Sequence, residues 1–588
     1  MSQKWKIAKS APAKSLAKLK AYPVWLADLL YRRGVRTVKE AEEYLNPHYE
    51  RDLLPPAEML GMSKAVKRIW QAIDTDEKIM IFADFDADGV PAGVLLHLFF
   101  KEVGFSNYDI YIPDRNVEKH GLSKPAVEKF MAEKVNLIVT VDCGITNAEE
   151  VAFAKKNKID CIITDHHLPG EKLPKAVAIV DSKQIEDTYS FKVLCGCGVA
   201  FKLVLGLMDA AGERHIFPIG WDKWLLDLVA ISTVADMVPM VGENRILTHF
   251  GLKVLRKTKR LGLLELFKVL KLQLVYISED DIGFMIAPRL NAASRMDHAN
   301  QTFFLLTTEN KEEAQKISKF LDDKNKERRD KVDIVLQETE KYLATLTEIP
   351  PIICYGRPDW QVGGLGLAAN RLKDKYGRPV FLWASAGPGE FKGSGRSDGS
   401  INLVELMKLA NADGVFTEFG GHAMAAGFSV EESKEPLVAE NILNAYNNAP
   451  KDQLAPALEA DREISLDDIN WDTYYMMEKL GPFGMENSKP VFLLKGATLA
   501  ENKTFGNGGI HLELKFKKPY GELISAIGFF NCPPTEKDCP FDVVAGHIWN
   551  GVSLQVGEKL DILGNLEKST FKGRPELRLR IVDIRKAE

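Results

Sequence analysis

The stretch IMIFADFDADGVPAG, residues 79–93, leads from an apolar run directly into three aspartates at alternating positions. Residues 79–82 are predicted to form a buried strand of a parallel sheet, because the run is apolar on both faces and precedes a turn and a helix-like segment, residues 92–101. Residues two apart in an extended chain point the same way, so Asp84 and Asp86 present their carboxylates together. Ligands gather at the carboxyl ends of such strands, which makes this stretch a candidate metal site.

Two other interpretations of this stretch stay open. Asp-x-Asp-x-Asp-Gly also begins a calcium-binding EF-hand loop, but the twelfth position of that loop needs a glutamate and here is Leu95. A solvated Asp-Gly turn is as well supported as a metal site by this segment alone. The strands that follow shift the balance.

Later apolar runs also end in acids or histidines. Residues 137–141 are followed by Asp142, and residues 161–164 are followed by Asp165, His166 and His167. If these strands are neighbours, Asp84, Asp86, Asp142 and His166 converge on one crevice. Adjacent residues of an extended chain face opposite ways, so one histidine is expected to bind metal and the other to contact a phosphate.

Asp236 follows the amphipathic helix predicted over residues 223–233 and precedes Pro239. Taken singly it is better explained as a helix-terminal or turn aspartate, but beside the other ligands it is a candidate fifth. Carboxylates with an imidazole suit two Mn²⁺ or Mg²⁺ ions, one carboxylate bridging them, whereas structural zinc more often recruits thiolates. Such a pair of ions is typical of phosphoester hydrolysis.

Composition limits the remaining classes of protein. The chain has 588 residues, 45% hydrophobic and 27% charged, which predicts several globular domains. No apolar run approaches the roughly 18 residues of a membrane span and no signal-peptide pattern is present, so we expect a cytoplasmic protein without a membrane partner.

Seven scattered cysteines without a CxxC pair indicate neither a disulfide framework nor a zinc module. A net charge of −5 restricts any polyanion site to a local patch.

The ordered segments ADFDADG (83–89), VDCGI (141–145), TDHH (164–167) and VADMVP (234–239) resemble the four motifs of the DHH phosphoesterase family. Within that family, the resemblance is strongest to the RecJ group of single-strand-specific DNA exonucleases. It is carried by LCGCGVAFKL (194–203), NRILTHFGL (244–252), APRLNAASRMDHA (287–299), FKGSGRS (391–397) and FGGHAMAAGFS (419–429). The resemblance spans nearly the whole chain.

The resemblance implies a role for each motif residue. It places one metal on Asp84 and the other on Asp86, makes Asp142 the bridging ligand, and completes the second site with His166 and Asp236. His167 then contacts the phosphate or supports a ligand. The implied activity is metal-dependent 5′-to-3′ hydrolysis of single-stranded DNA to 5′-mononucleotides in recombination and repair. The implied partners are a single-strand-binding protein and a helicase, around a monomeric chain.

The fold class expected on this basis is α/β. A helical lead-in over 1–75 precedes a parallel-sheet DHH domain over 76–308. A connecting helix over 309–345 leads to a smaller α/β DHHA1 domain over 346–450 and a C-terminal β-barrel, an OB-fold, over 451–588. Lysine-rich residues 1–20 are expected to be a solvated, flexible terminus.

Candidate substrate contacts lie outside the metal motifs. Residues 393–397 and 420–422 are predicted to be glycine-rich turns, in which backbone amides can bind anions, although plain hairpin turns explain them almost as well. By resemblance the substrate contacts are Ser394, Arg396, Gly421, His422 and Arg371, with Arg289, Asn291 and Arg295 near the cleft. In the barrel, Arg578 and Arg580 are expected to point outward and Leu577 and Leu579 inward.

Two positions depart from the RecJ pattern. Pro91 stands where a Thr or Ser is usual, and Gln361 stands where a His is usual. Neither is a metal-ligand position, so substrate positioning or rate is expected to change rather than hydrolysis itself. The alternatives are another DHH enzyme acting on short oligonucleotides or cyclic dinucleotides, and a DNA-binding scaffold without catalysis. The barrel disfavours the former and the intact ligand set the latter.

Overall fold

The computed structural model describes residues 5–115, 118, 121–296, 298–450, 458–506, 511–529, 547–549, 552–569 and 574–587. Across these residues the fold has an N-terminal sheet unit, a middle sheet unit and a C-terminal barrel. The predicted fold class is confirmed, including the order of its parts. No helix among the described residues combines the length and apolarity needed to cross a membrane.

The N-terminal sheet unit is built on parallel strands. Its described strands lie in the order Tyr108–Tyr111, Ile79–Ala83, Leu137–Val141, Asp160–Thr164 and Ala178–Val180. The two strands beside each other at its centre, Ile79–Ala83 and Leu137–Val141, are completely buried, as their continuous apolar sequences predict. The longer helices of this unit are Met62–Asp74, Gly89–Glu102, Lys124–Ala132, Ala148–Lys156, Gly196–Asp209, Leu226–Ala235, Gly242–Leu255, Leu261–Val269, Ala287–Met296 and Asn300–Thr307.

The register of this sheet aligns the strand ends. Ala83 pairs with Val141, which pairs with Thr164. The hydrogen bonds continue one residue further, because the Asp142 N–H donates to the Thr164 carbonyl at 2.9 Å. The motif residues that follow each strand therefore begin at one edge of the sheet.

The long helix Lys311–Ala344 leads into the middle sheet unit. Asn310 caps this helix, accepting from the Glu312 and Glu313 N–H groups. The described strands of the middle sheet lie in the order Phe416–His422, Ala425–Glu431, Glu390–Arg396, Val380–Gly387 and Ile353–Gly356. Its longer helices are Val362–Tyr376, Leu403–Ala410 and Val438–Asn448.

The predicted glycine-rich turns of the middle unit are wrong. Residues 393–396 lie inside the strand Glu390–Arg396, and residues 420–422 lie inside Phe416–His422. A Cβ atom on Gly393 would lie 2.0 Å from the Phe428 ring, and one on Gly395 would lie 2.6 Å from the Phe381 ring. These two glycines therefore let aromatic side chains pack against the strand rather than form a turn.

The C-terminal unit closes into a barrel. Five of the described strands pair around the circle: Phe492–Phe505, His511–Lys517, Leu523–Gly528, Glu576–Lys586 and Lys559–Ser569, which returns to the first. Helix Trp471–Glu478 precedes them. Leu579 is buried and Leu577 partly buried against the barrel core, as the alternation predicts, while Arg578 forms an ion pair with Glu567 at 3.1 Å.

The N-terminal residues are part of the barrel's core. Strand Trp5–Ile7 pairs in parallel with Leu458–Ala460, and Leu19, Leu26 and Leu30 belong to the same apolar cluster as barrel residues. Helices Val24–Arg32 and Val38–Leu45 follow. The expectation of a flexible terminus is wrong from residue 5 onward, because the apolar side chains between the lysines bury against a distant part of the chain.

Candidate metal centre and active site

Seven acidic and histidine side chains meet at the carboxyl edge of the N-terminal sheet. They form three overlapping groups whose ligand atoms lie within 4.8 Å of one another: Asp84, Asp86 and Asp142; Asp88, His166 and Asp236; and Asp142, His166 and His167. The strands that precede these motifs are neighbours in the sheet, so the residues that follow the strands lie close together. Asp236 directly follows helix Leu226–Ala235 and caps its C-terminal end.

His166 connects these groups. Its Nε2 atom lies 3.1 Å from Asp142 Oδ1, 3.7 Å from Asp236 Oδ2 and 3.8 Å from Asp88 Oδ2. The ring is buried, so its position is set by packing. An imidazole nitrogen facing three carboxylates at this range is a geometry suited to sharing a cation.

Two glycines make room for the carboxylates. A Cβ atom on Gly89 would lie 2.6 Å from Asp84 Cβ, and one on Gly196 would lie 2.2 Å from Asp142 Oδ1. Asp142 itself has a φ of 62°, in the left-handed region that non-glycine residues rarely adopt. The cluster therefore requires the backbone at Gly89 and Gly196 to lie directly against Asp84 and Asp142, where no side chain would fit.

Asp88, the third alternating aspartate, was not among the predicted site residues. Its carboxylate accepts from the N–H groups of Gly196 at 2.6 Å and Cys197 at 2.8 Å, at the start of the 14-residue helix Gly196–Asp209. A carboxylate is stabilised at a helix N-terminus, so these hydrogen bonds hold the segment of residues 83–89 against the start of this helix. The third aspartate of the alternating set in residues 79–93 was the available signal.

Asp165 is the second residue that the sequence analysis left without a role. It accepts from the N–H groups of Ile145 at 2.9 Å, His166 at 2.7 Å and His167 at 3.1 Å, and from the His167 ring Nδ1 at 2.7 Å. The prediction that the two histidines face opposite ways is wrong, since their ring centroids are 4.4 Å apart. The strand ends at Thr164, and Asp165 turns the chain so that both rings lie side by side.

The acids of the cluster lack enough nearby positive charge. Burial, followed by repulsion from Asp84, raises the pKa of Asp86. Burial, followed by repulsion from Asp88, raises the pKa of Asp142, and burial with repulsion from Asp86 raises the pKa of Asp236 to about 7. Burial and the neighbouring His167 lower the pKa of His166 to about 3. A buried carboxylate cluster next to a neutral imidazole is an environment that a divalent cation stabilises.

The donor set fits Mn²⁺ or Mg²⁺. Among the described residues, the buried Asp142 Oδ1 atom has no hydrogen-bond donor. The nearby thiols of Cys143 and Cys195 are buried, and burial raises the pKa of each well above its usual value, so thiolate ligands are disfavoured. Oxygen atoms with imidazole are the ligands that hard divalent ions prefer.

Asn291 and Arg289 hold structural contacts beside the cluster. Asn291 Oδ1 accepts from the Ala87 N–H at 2.9 Å, which fixes the loop between Asp86 and Asp88. Arg289 is buried and its guanidinium lies 3.2 Å from Asp322 on the long helix. Asn291 therefore attaches its helix to the metal loop, and Arg289 attaches the same helix to the long helix.

Arginines form a cationic flank near Asp86. Burial, together with repulsion from Arg115 and Arg328, lowers the pKa of Arg295 to about 10, while Asp86 acts in the opposite direction. Burial and repulsion from Arg329, Arg289 and then Arg371 lower the pKa of Arg328 to about 10. Among the described residues, the Nε atoms of Arg295 and Arg328 have no hydrogen-bond partner. Clustered guanidinium groups of this kind suit a phosphate.

Arg115 and Arg328 were missing from the predicted site. Arg115 lies on a loop with its guanidinium 5.0 Å from the Phe85 ring centroid, and Arg328 lies on the helix Lys311–Ala344. That helix was predicted only as a connection between two domains. Neither residue belongs to a recognisable motif, so the sequence carried no signal for them.

The middle unit adds Arg396 and Ser394. Arg396 Nη1 donates to Ser394 Oγ at 3.0 Å and to the Gly395 carbonyl at 2.7 Å. A Cβ atom on Gly366 would lie 2.8 Å from Arg396 Nη2, and one on Gly363 would lie 4.0 Å from the Arg295 carbonyl oxygen. Helix Val362–Tyr376 therefore begins beside the arginine flank and continues past Arg396.

The remaining predicted contacts are more exposed. His422 pairs with Ala425, which pairs with Arg396, so His422 and Arg396 lie in one row across the sheet. Gly421 has a φ of 145°, and a Cβ atom there would lie 2.2 Å from the Ala425 carbonyl oxygen. Arg371 is exposed and forms an ion pair with Asp333 at 2.8 Å.

The two departures from the family pattern occupy helix starts. Pro91 is buried in the first turn of helix Gly89–Glu102, where a missing N–H costs no helical hydrogen bond. Gln361 is the exposed N-cap of helix Val362–Tyr376 and makes no side-chain capping hydrogen bond. Both lie outside the group of metal-ligand candidates.

Comparison with known protein families covers each unit of the fold. Residues 78–233 match the DHH family, N-terminal domain; residues 348–449 match the DHHA1 domain; and residues 460–583 match the RecJ OB domain. The three matches follow the order of the sheet unit, the middle unit and the barrel.

Curated relatives and solved structures match over most of the chain. The single-stranded-DNA-specific exonuclease RecJ of Bacillus subtilis is 34% identical over 96% of this chain and 68% of its own length. The exonuclease of the same name from Haemophilus influenzae is 34% identical over 86% of this chain and 89% of its own length. A crystal structure of Thermus thermophilus RecJ in complex with Mn²⁺ aligns with a TM-score of 0.79 and 26% identity, covering 100% of this chain and 80% of that one. The chain therefore belongs to the RecJ family of DHH proteins.

Proposed function

We propose that this protein is a metal-dependent exonuclease that hydrolyses phosphodiester bonds of single-stranded DNA. The observation that carries this proposal is the position of Asp86, which belongs to the buried carboxylate cluster and also interacts with Arg295 of the cationic flank. Hydrolysis of a phosphodiester needs both the metal-binding carboxylates and the arginines, since cations must stabilise the negative charge that develops at phosphorus. The relatives named as single-stranded-DNA-specific exonucleases support the substrate class.

The proposed metal ligands are Asp84 for one ion, Asp86 for the other, Asp142 between them, and His166 and Asp236 completing the second site. When bound, two such ions lower the pKa of water and stabilise negative charge on the phosphate. Asp88 holds the first motif against helix Gly196–Asp209, and Asp165 orients the His167 ring toward the substrate side. The chain thus supplies a rigid, buried frame for ligands whose charges repel one another.

The proposed substrate contacts lie on the cationic flank and in the middle unit. Arg115, Arg295 and Arg328 bind the phosphate nearest the ions, because Arg115 and Arg328 both act electrostatically on Arg295, which also interacts with Asp86. Arg396 and Ser394 contact the same strand from the middle sheet, with Gly421, His422 and Arg371 further out. Arg289 and Asn291 act by positioning the helix and loop that they join.

The direction and the cellular role extend this proposal. By resemblance, digestion runs from the 5′ end and releases 5′-mononucleotides during recombination and repair. We propose that the protein acts as a cytoplasmic monomer beside a single-strand-binding protein and a helicase.

An end-labelled digestion tests the proposal. Matched single-stranded and duplex oligonucleotides, labelled at either end, are incubated with Mn²⁺, Mg²⁺ or chelator. We expect immediate release of labelled mononucleotide from the 5′ label on single strands alone, and none with chelator. Absence of cleavage with either metal, while strand binding persists, contradicts the proposed activity and supports a DNA-binding scaffold. Release first from the 3′ label contradicts the direction only.

A further inference from the structure

Three chain segments converge beside the metal ligand Asp236. The helix that ends at Asp236 packs against the π-helix Ile282–Ile286, since a Cβ atom on Gly283 would lie 3.6 Å from Val234 Cγ1. The Met240 N–H donates to the Met485 carbonyl at 2.7 Å. The Phe483 N–H donates to Glu279 Oε1 at 3.2 Å. Each of the three segments, residues 234–240, 279–286 and 483–485, therefore contacts the other two.

Each of these segments exposes one large apolar side chain. Met237, directly after Asp236, is 66% exposed; Phe284 is 65% exposed; and Met485 is 50% exposed. We call these three residues the apolar platform. The contacts between their segments bring these residues to one region beside Asp236, and exposed apolar side chains beside a candidate active site indicate a binding surface.

The backbone at Phe284 explains why its ring points outward. Ile282 and Ile286, at the two ends of the π-helix, are fully buried, whereas Phe284 between them is exposed. A π-turn carries one more residue per turn than an α-helix, and such turns are frequent at functional sites. Met237 has a φ of 57°, which ends its helix abruptly at the same place.

The charged side chains near the platform pair with one another. Asp280 forms an ion pair with Lys489 and lies 3.9 Å from Arg580, and Asp281 accepts from the hydroxyl and N–H groups of Ser278. By contrast, the Nε atoms of Arg295 and Arg328, near Asp86, have no hydrogen-bond partner among the described residues. The arginines therefore suit phosphates, whereas the exposed side chains of the platform suit uncharged, flat, apolar groups.

We propose that the apolar platform stacks unpaired nucleobases of the strand whose phosphate lies at the metal centre. This inference rests on the proposed function, because it assigns the base side of the same substrate. Inside a duplex the bases keep their faces stacked on one another and their edges paired, so only unpaired bases can lie on the platform one after another. The platform thereby contributes to the preference for single strands.

Strand binding in chelator tests this inference without cleavage. The ligands are 3′-labelled single-stranded oligonucleotides, either complete or with the bases removed at successive positions from the 5′ end. We expect Phe284→Ala to weaken binding of the complete strand about tenfold, as loss of one stacked base predicts. Phe284→Trp retains affinity, and Met485→Ala has a smaller effect of about twofold to threefold. Tyr520→Ala, at a 94% exposed aromatic of the barrel, is the matched control and leaves affinity unchanged.

Base removal distinguishes stacking from a general change in the surface. In the wild-type protein, one or two abasic positions weaken binding about as much as Phe284→Ala does, and the Phe284→Ala protein no longer responds to them. Equal affinities of wild type and Phe284→Ala overturn the inference, and so does a loss that is the same on complete and abasic strands. Wild-type digestion with Mn²⁺ is run in parallel, so that failure of the exonuclease proposal is separately visible.

Discussion

The Nε2 atom of His166 lies 3.1 Å from Oδ1 of Asp142, and both side chains are buried. The pKa of the histidine is lowered by burial and by His167, so this contact does not supply a positive charge to the carboxylate. The pair is arranged for a cation that the polypeptide itself does not provide.

Replacing Asp142 with asparagine is expected to separate metal binding from folding. Asp142→Asn removes one charge from a buried, mutually repelling group, so the metal-free protein should be more stable by about 1–3 kcal/mol. Mn²⁺ should raise the unfolding temperature of the wild type but not of the variant. Hydrolysis should fall at least about 100-fold. Thermal unfolding with and without Mn²⁺ measures this, and an unchanged metal response contradicts the ligand assignment.

Gly196→Ala is expected to disturb the metal centre through backbone crowding. The added Cβ atom would lie 2.2 Å from Asp142 Oδ1, too close for any contact. We expect loss of the Mn²⁺-induced rise in unfolding temperature. Gly198→Ala, whose Cβ atom would meet Leu194 at 3.4 Å in the same helix, is the control and should retain it. Equal behaviour of the two variants would show that Gly196 has no special role.

Asp165→Ala should impair hydrolysis while metal binding persists. The change leaves the N–H groups of Ile145, His166 and His167 without their acceptor and frees the His167 ring to rotate. We expect a fall in kcat of about 10- to 100-fold. The unfolding-temperature response to Mn²⁺ should remain, and Asp165→Asn should recover part of the rate. A full loss of the metal response would instead make Asp165 a ligand-supporting residue.

A buried ion pair behind the site provides a stability prediction. Lys202 Nζ lies 2.5 Å from Glu243 Oε1, with Lys202 fully buried, and Tyr189 also donates to this carboxylate. Glu243→Gln leaves the ammonium group without its counter-charge and should reduce the free energy of unfolding by about 3–5 kcal/mol. The double variant Lys202→Met/Glu243→Gln should recover much of that loss. Denaturant unfolding compares the wild type, Glu243→Gln and the double variant. A double variant that is no more stable than Glu243→Gln would contradict this coupling.

His249 should make the protein less stable in acid. Burial, followed by the charges of Lys253, Arg245 and Arg256, lowers the pKa of His249 from 6.5 to about 4. Between these values the unfolded chain takes up a proton that the folded chain does not, so stability falls as the pH drops from about 6.5 to about 4. His249→Gln should remove about 2 kcal/mol of this loss. Unfolding at pH 7.5 and pH 5 measures the difference; a parallel decline in both proteins contradicts it.

The sequence by itself determined the strands and the residues that end them. Ile79–Ala83 and Leu137–Val141 have continuous apolar sequences that only a buried parallel strand accommodates. Carboxyl ends of parallel strands share one edge, so Asp84, Asp86, Asp142 and His166 were expected together if these strands were neighbours. The alternation around Leu577 and Leu579 likewise identified a barrel strand. These features depend on neighbours only a few residues away.

The tertiary structure alone decided which residues hold and flank this cluster. Asp88 accepts hydrogen bonds from backbone groups more than a hundred residues further along. Arg115 and Arg295 interact electrostatically although neither predicts the other. Gly393 lies in a strand because Phe428 packs against it, not in the turn that glycine favours locally. Local sequence determines backbone preference and periodicity, whereas such contacts depend on which distant segments pack together, and no pattern within one segment contains that information.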